Sequence, residues 1–208
     1  MTTATLAKDF KMTGRRAMLK DATRGVHEQL DRRLMAFRPF ADRQRYQAFL
    51  HTQYRLHRDV EALYVAPALN AVLPQLAERS RLALVEQDLC DLGVALPLAG
   101  LPEPRFAAGA DVDLSTALGW LYAVEGSNIG AAFLLKAAAA LELGGQFGAR
   151  HLAPHPDGRA AHWRDFIAQF DEVTLPADDE PRSVEGANAA FAQALAYVEQ
   201  YCPLPPTA

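Results

Sequence analysis

Cysteine is scarce in this chain, and the long apolar runs and like-charge blocks of membrane or nucleic-acid proteins are missing. The 208 residues include 2 cysteines, Cys90 and Cys202, whose wide separation excludes a close metal-ligand spacing and suits a reducing compartment. The longest apolar stretch, 131–141, is interrupted by Lys136, and the N-terminus has no apolar signal core. A net charge of -4 argues against nucleic acid as the main partner. We therefore expect a soluble, cytoplasmic, monomeric protein without a membrane anchor.

Strand patterns and nucleotide-binding motifs are also missing. No run of β-branched residues alternates with polar residues between turn signals, and neither a GxGxxG motif nor a P-loop is present. The hydrophobic period is helical nearly throughout, which predicts a single all-α domain over 1–208 with flexible tails at 1–12 and 202–208. The predicted helices are 14–36, 42–65, 68–92, 114–143, 158–172 and 184–201. Proline and glycine predict a long loop at 94–113 and a second irregular stretch at 144–156.

One predicted helix has a face that is almost free of side chains. In the segment GWLYAVEGSNIGAAFLLK, 119–136, small residues recur at the spacing that an α-helix gathers on one side. They are Gly119, Ala123, Gly126, Ser127, Gly130 and Ala131. Glycine costs about 1 kcal/mol relative to alanine inside a helix, so two glycines four residues apart need a reason. Either this face packs closely against another helix, or a planar ligand lies against its backbone.

The first predicted helix carries a histidine in a polar row. Lys20, Arg24, His27 and Asp31 follow one another at spacings of four, three and four, so they share a face beside the apolar stripe. Asp31, one turn beyond His27, is placed to accept the Nδ1–H and leave Nε2 free for a metal. Lys20 lies roughly 10 Å along the helix axis from His27, within reach of a carboxylate on a ligand that His27 binds. The alternative is a partly exposed histidine that pairs only with Asp31.

The helix at 42–65 has polar residues inside its apolar stripe. Gln53 and His57 fall in the middle of the face that Tyr46 and Val60 define as buried. Buried polar groups need partners. They either hydrogen-bond to each other or to the core, or form a pocket wall that orders water.

Two further features have simpler interpretations. His151 and His155 are separated by Pro154, which excludes a regular helix, so loop packing is expected rather than a zinc pair. Glu125 points away from the small-residue face and is expected on the surface or in a salt bridge.

Several segments resemble the bacterial heme oxygenases, especially the branch that Gram-negative bacteria use to take iron from heme. The resemblance covers about residues 12–200 and rests on LKDATRGVHEQLD around His27, QYRLH around His57, GWLYAVEGSNIGAAFLLK and FGARHLAPHPDGRAAHWRDF. It implies an all-α fold with heme between a proximal helix, whose ligand is His27, and a kinked distal helix, 114–143. The other implied positions are Gly126, Ser127 and Gly130 against the heme, Asp31 beside the ligand, Lys20 and Tyr122 at the propionates, and Gln53, His57, Arg81 and Asn128 in a distal polar and water network.

Two positions carry structural expectations of their own. Asp31 is shorter than the glutamate that relatives often have there, so we expect it to reach His27 through water. A straight helix places Asn128 nearly opposite the small-residue face, so its implied role requires a kink at 126–130.

The resemblance implies oxygen-dependent cleavage of heme b, which is both cofactor and substrate, to biliverdin, iron and CO. Because the chain has no redox motif, electrons are expected from an external ferredoxin or flavoprotein reductase. The predicted docking surface for this donor is the basic face of the first helix, with a merely solvated face as the alternative. Its residues are Arg15, Arg16, Lys20, Arg24, Arg32 and Arg33.

The pair Lys20 and Tyr122 also bears on the product. In the implied branch this pair goes with opening of the ring at the α-meso carbon, which predicts biliverdin IXα. Two other functions stay open: a heme carrier or store without turnover, and a helical enzyme of the same fold that acts on a non-heme ligand.

Overall fold

Seven α-helices make up most of the part of the chain that a computed structural model describes, residues 3–96 and 100–204, with side chains from residue 14 onward. They are α1 (Thr3–Phe37), α2 (Arg43–Tyr64), α3 (Pro67–Val72), α4 (Leu82–Asp91), α5 (Leu114–Ala138), α6 (Arg159–Glu172) and α7 (Glu180–Tyr201). Short 3-10 helices lie at Leu76–Arg79, Ala139–Leu141 and Arg150–Leu152. The described residues form no β-strand, only isolated bridges around Gly144. The predicted all-α fold class is confirmed.

The predicted helix at 68–92 is wrong as a single unit. The chain forms α3, a 3-10 turn and α4 instead, because Pro74 has no N–H and disfavours helical backbone at Leu73, where φ is -126° and ψ is 81°. Gln75 then takes a left-handed conformation, with φ of 65°. The prediction underestimated how strongly one proline interrupts an otherwise helical pattern.

The structure describes parts of both predicted tails. Helical backbone already begins at Thr3, and Gly14, with φ of 69° and ψ of 150°, breaks α1 at the predicted start of the first helix. At the other end, Cys202 is buried and its carbonyl accepts a hydrogen bond from Arg33. The remaining tail positions, 1–2 and 205–208, lie outside the described residues.

Helix α7 packs against α1, α2 and α5, and its contact with α5 is backbone to backbone. A Cβ atom on Gly119 would lie 2.1 Å from the carbonyl oxygen of Ser183 and 2.5 Å from the amide nitrogen of Ala187. On the other helix, a Cβ atom on Gly186 would lie 2.4 Å from the carbonyl oxygen of Thr116. Close helix packing is therefore the correct explanation for the first part of the small-residue face.

A buried ion pair joins α1 to the first residue of α7. The Arg15 guanidinium donates to both carboxylate oxygens of Glu180, at 2.9 and 2.7 Å, and to the carbonyl oxygens of Phe170 and Val173, at 2.6 and 2.7 Å. Arg15 was predicted to lie on the basic docking surface. That prediction is wrong, because the side chain has turned inward to bind this carboxylate.

Two apolar clusters flank the region where α1, α2, α5 and α7 meet. One contains Leu19, Trp120 and Phe166, and the other contains Tyr46 and Leu89. Among the described helices, none combines the length and the apolar character that crossing a bilayer requires. The space between these helices is not completely filled and contains a cavity.

Candidate active site

The cavity has a volume of about 670 Å³ and is bounded by α1, α2, α5, α7, the Trp163 side chain of α6 and the turn at Arg150–Leu152. This volume falls within the range of about 300–1,000 Å³ that is usual for pockets holding a drug-sized ligand. Its apolar lining includes Phe49, Leu56, Leu134, Leu152, Phe191 and Val198. Charged side chains come mainly from α1, at the mouth of the cavity. The arrangement suits an apolar ligand with anionic groups at one edge.

His27 lies on the α1 wall with its side chain half-exposed. Its Nδ1 is 3.3 Å from the Oδ2 of Asp31, and its ring meets the ring of Phe191 edge to face, with centroids 5.3 Å apart. This separation leaves no room for a bridging water, so the expected water-mediated contact is replaced by a direct one. When Nδ1 carries the proton and faces Asp31, Nε2 keeps its lone pair for a metal.

Three basic side chains line the cavity at successive turns of α1: Arg16, Lys20 and Arg24. Arg24 is engaged by Asp21, at 2.6 Å, in an exposed pair. Tyr122, from α5, lines the same cavity, and burial raises the pKa of its hydroxyl while the charge of Arg16 opposes that rise. The hydroxyl therefore stays protonated near neutral pH and is available as a hydrogen-bond donor.

The opposite wall is the second part of the small-residue face, within the uninterrupted helix α5. A Cβ atom on Gly130 would meet nothing within 4 Å, and one on Gly126 would make an ordinary contact of 3.6 Å with the ring of Trp163. The Ser127 hydroxyl donates to the carbonyl oxygen of Val124 at 2.7 Å, so the helix backbone already satisfies it. At Gly130 a ligand can approach bare backbone, unlike at Gly119.

Asn128 also lines the cavity, although the straight-helix projection placed it away from the small-residue face. It borders a second, smaller pocket as well, together with Glu125, His155 and His162. The projection was wrong because the cavity wraps around more of the α5 circumference than the small residues alone indicate. The carbonyl oxygen of Asn128 accepts a hydrogen bond from Arg159 at 2.9 Å.

Gln53 and His57 form the polar part of the α2 wall. His57 is buried, and its Nδ1 has no hydrogen-bond partner among the described residues. Burial, together with the nearby His151 and Arg81, lowers the pKa of His57 to about 3. The imidazole is therefore neutral, and an unpaired nitrogen is available at a largely apolar wall.

A second buried histidine on the cavity wall, His151, was missed. Its Nδ1 is 2.7 Å from the Oδ2 of Asp88, and its backbone N–H donates to the same oxygen at 3.0 Å. Its Nε2 is buried without a partner among the described residues. Burial lowers the pKa of His151, and the Asp88 carboxylate opposes that change. Sequence reasoning assigned His151 to loop packing because the pairing with Asp88 spans 63 positions and leaves no local signal.

Arg81 is the one predicted site residue that does not line the cavity. Its guanidinium lies behind the wall and donates to the carbonyl oxygens of His151 and Ala153, at 2.6 and 3.0 Å. It borders the smaller pocket instead. Arg81 therefore supports the loop that carries His151 and does not contact the cavity itself.

Glu125 is buried, so its expected surface position is wrong, whereas the salt bridge is confirmed. Its carboxylate accepts from the hydroxyl of Tyr64 at 2.8 Å and from Arg79 at 2.9 Å. Burial raises the pKa of Glu125, and the adjacent Arg79 opposes the rise. This group connects α5 to α2 and to the Leu76–Arg79 turn behind the cavity.

Comparison with known proteins places these observations in a family. The family model described as heme oxygenase matches residues 15–200. Heme oxygenase PigA of Pseudomonas aeruginosa is 41% identical over 169 residues, which cover 81% of this chain and 83% of that protein. The NO- and CO-bound heme oxygenase of Neisseria meningitidis superimposes with a TM-score of 0.85 at 37% identity, covering 94% of this chain and 95% of that one.

A more distant structure shares the fold. Heme oxygenase 2 of Chlamydomonas reinhardtii, solved without heme, has a TM-score of 0.73 at 19% identity, covering 93% of this chain and all of the other. The family model spans every helix that lines the cavity, and the relatives match most of the chain. The chain therefore belongs to the heme oxygenase family of enzymes.

Proposed function

We propose that this protein cleaves heme to biliverdin, ferrous iron and CO, using dioxygen and electrons from a separate donor. The observation that carries the proposal is a single cavity with a histidine on one wall and open glycine backbone at Gly130 on another. Its apolar lining and the basic rim of α1 fit a flat apolar molecule with carboxylates at one edge. As the substrate, heme supplies both the redox-active iron and the ring that is opened.

His27 is the proposed protein ligand of the iron. Asp31, 3.3 Å from Nδ1, favours the tautomer whose Nε2 is free and makes that nitrogen a stronger donor to a metal. The edge of Phe191 limits rotation of the ring. Together these contacts hold the imidazole in one orientation toward the cavity.

Lys20 and Tyr122 are the proposed propionate anchors. Lys20 provides a positive charge and Tyr122 a protonated hydroxyl, and both line the cavity near its basic rim. An anchor on this side fixes the in-plane rotation of the substrate, so we assign biliverdin IXα as the main product. Chromatography of the product tests this, and Lys20→Asn with Tyr122→Phe should shift it toward other isomers. A mixture of β and δ isomers from the unmodified protein would contradict the assignment.

Gln53, His57 and Asn128 are proposed to order water over the glycine wall. His57 is neutral at physiological pH because its pKa is about 3, so the wall contains no strong acid at this position. His151 adds a second neutral imidazole, which Asp88 holds with Nδ1 as the proton donor and Nε2 as an acceptor. Neutral groups of this kind orient water and pass protons without the full charge of an acid in the apolar cavity.

The electron donor is proposed to dock on the exposed basic part of α1. Arg16, Lys20, Arg24 and Arg32 are exposed there. Long-range attraction to an acidic donor would make the rate of electron transfer fall as ionic strength rises. We also propose that the protein acts as a monomer.

A heme titration followed by reductant under air tests the function directly. Enzyme activity predicts a heme-protein absorption band that decays to the biliverdin spectrum, whereas a carrier would give a stable band. His27→Ala should lose the histidine-ligated spectrum and the turnover. The matched control is His51→Ala, because His51 lies on α2 outside the cavity lining and stacks on Tyr201. Unchanged turnover in His27→Ala would refute the assigned ligand.

A further inference from the structure

Arg159, in the first turn of α6, reaches across to the backbone of the distal helix. One terminal nitrogen of its guanidinium donates to the carbonyl oxygen of Asn128 at 2.9 Å, and the other donates to the carbonyl oxygen of Leu152. Asn128 and Leu152 both line the cavity, whereas Arg159 does not. Among the described residues, Arg159 forms no ion pair. Its charge is therefore directed at two carbonyl groups of the cavity wall.

The contact with Asn128 is unusual because this residue lies in the interior of α5, where a carbonyl oxygen normally accepts only from the N–H four residues later. The cationic donor adds a charge-assisted hydrogen bond to that oxygen from outside the helix, and this bond ties the turn to α6. Gly126 and Gly130 flank the position, and glycine is the residue that resists backbone deformation least. Arg159 thus acts on the turn of α5 that is easiest to displace.

Helix α6 touches the same turn at a second point. The ring of Trp163, one helical turn after Arg159, lies 3.6 Å from where a Cβ atom on Gly126 would be. One rigid element therefore holds this turn by a polar contact at Asn128 and by an apolar contact at Gly126.

We propose that Arg159 is a positioning residue that fixes the Asn128 turn of the distal helix relative to bound heme. It contacts neither the substrate nor the reacting atoms. Without the Arg159 bond, the Asn128 turn would lose its polar contact with α6, and the glycine backbone and the Asn128 side chain would be free to move together. The inference rests on the proposed function for its catalytic consequence, but its structural part concerns the ligand-free protein.

The test compares Arg159→Gln and Arg159→Lys with the control Arg164→Gln. Arg164 is an exposed residue of the same helix and makes no hydrogen bond or ion pair with the described residues. Amide hydrogen exchange is measured by mass spectrometry on heme-free protein. Arg159→Gln should speed exchange about tenfold in peptides covering 124–134, as expected for the loss of a charge-assisted hydrogen bond, with α2 and α7 unchanged. Arg159→Lys keeps the positive charge on a single donor nitrogen, so its amide exchange in these peptides should be slower than that of Arg159→Gln.

The second measurement uses the heme-loaded protein. In Arg159→Gln the heme affinity should change by less than about twofold, and the histidine-ligated spectrum should be retained. The amount of biliverdin formed per electron consumed should fall severalfold. A residue that only stabilises the fold would lower neither this ratio nor local exchange protection selectively.

Three results would overturn the inference. The first is amide exchange at 124–134 in Arg159→Gln equal to that in Arg164→Gln, and the second is a loss of protection spread evenly over all helices in both Arg159 variants. The third is an unchanged amount of biliverdin formed per electron consumed in Arg159→Gln. If the unmodified protein binds heme without cleaving it, the proposed function fails. The exchange comparison still decides whether Arg159 positions the turn.

Discussion

Two glycines on the same face of α5 should respond in opposite ways to the same added methyl group. At Gly119 the methyl carbon would lie 2.1 Å from the carbonyl oxygen of Ser183 and 2.5 Å from the amide nitrogen of Ala187, and neither backbone atom can rotate aside. Overpacking a well-filled interior costs about 1–3 kcal/mol, and more where backbone must move. This exceeds the roughly 1 kcal/mol that alanine gains over glycine in a helix. We expect Gly119→Ala to lower the free energy of unfolding by about 3 kcal/mol.

At Gly130 the same methyl group meets nothing within 4 Å. The ligand-free protein should therefore gain up to about 1 kcal/mol from the better helix propensity of alanine. The methyl group also enters the cavity, so heme affinity or turnover should fall, and Gly130→Val should lower them further. The two alanine variants should differ by about 4 kcal/mol in stability, with the less stable one still able to turn over heme.

Urea unfolding followed by far-UV circular dichroism measures the free energy of unfolding of each variant. Heme titration with product analysis measures its heme affinity and turnover. For a chain of this length, 1 kcal/mol corresponds to about 2–4 °C in Tm, so Gly119→Ala should melt roughly 6–12 °C lower. Equal destabilisation of both variants would mean that Gly130 also packs against protein. A neutral Gly119→Ala would refute the close approach of α5 and α7.

Three further outcomes are expected. Burial lowers the pKa of His57 to about 3, so below about pH 6.5 the unfolded chain binds a proton at this imidazole that the folded protein does not bind. The free energy of unfolding therefore keeps its full value above about pH 6.5 and decreases as pH falls toward 3. Between pH 7 and pH 5 this loss is about 2 kcal/mol, and His57→Gln should flatten the pH dependence of urea unfolding; identical slopes would contradict the buried neutral imidazole. Asp88→Asn should reduce turnover more than heme affinity, because His151 loses the carboxylate that orients it, and normal turnover would exclude that role. Glu180→Gln leaves the buried charge of Arg15 without its partner and should cost about 3–5 kcal/mol in urea unfolding, whereas a change below about 1 kcal/mol would place the pair in solvent.

The sequence by itself determined the features that depend on neighbours along one helix. The helical period predicted most of the helices, and the four-residue spacing predicted that His27 and Asp31 are neighbours, although the structure replaces the expected bridging water with a direct contact. The same spacing predicted Gln53 and His57 on one wall. These predictions succeed because helix geometry fixes the relative positions of residues three or four apart, whatever the helix packs against.

Only the tertiary structure decided what each face packs against. The small-residue face of α5 is one pattern in the sequence, yet Gly119 contacts the backbone of α7 and Gly130 faces the cavity. Arg15 and Glu125 are charged residues that sequence patterns place in solvent, but each is buried with a partner far away in the chain. The pairing of His151 with Asp88 is of the same kind. Such contacts depend on which helix faces meet, and that follows from how all the apolar surfaces are buried together, which no local spacing records.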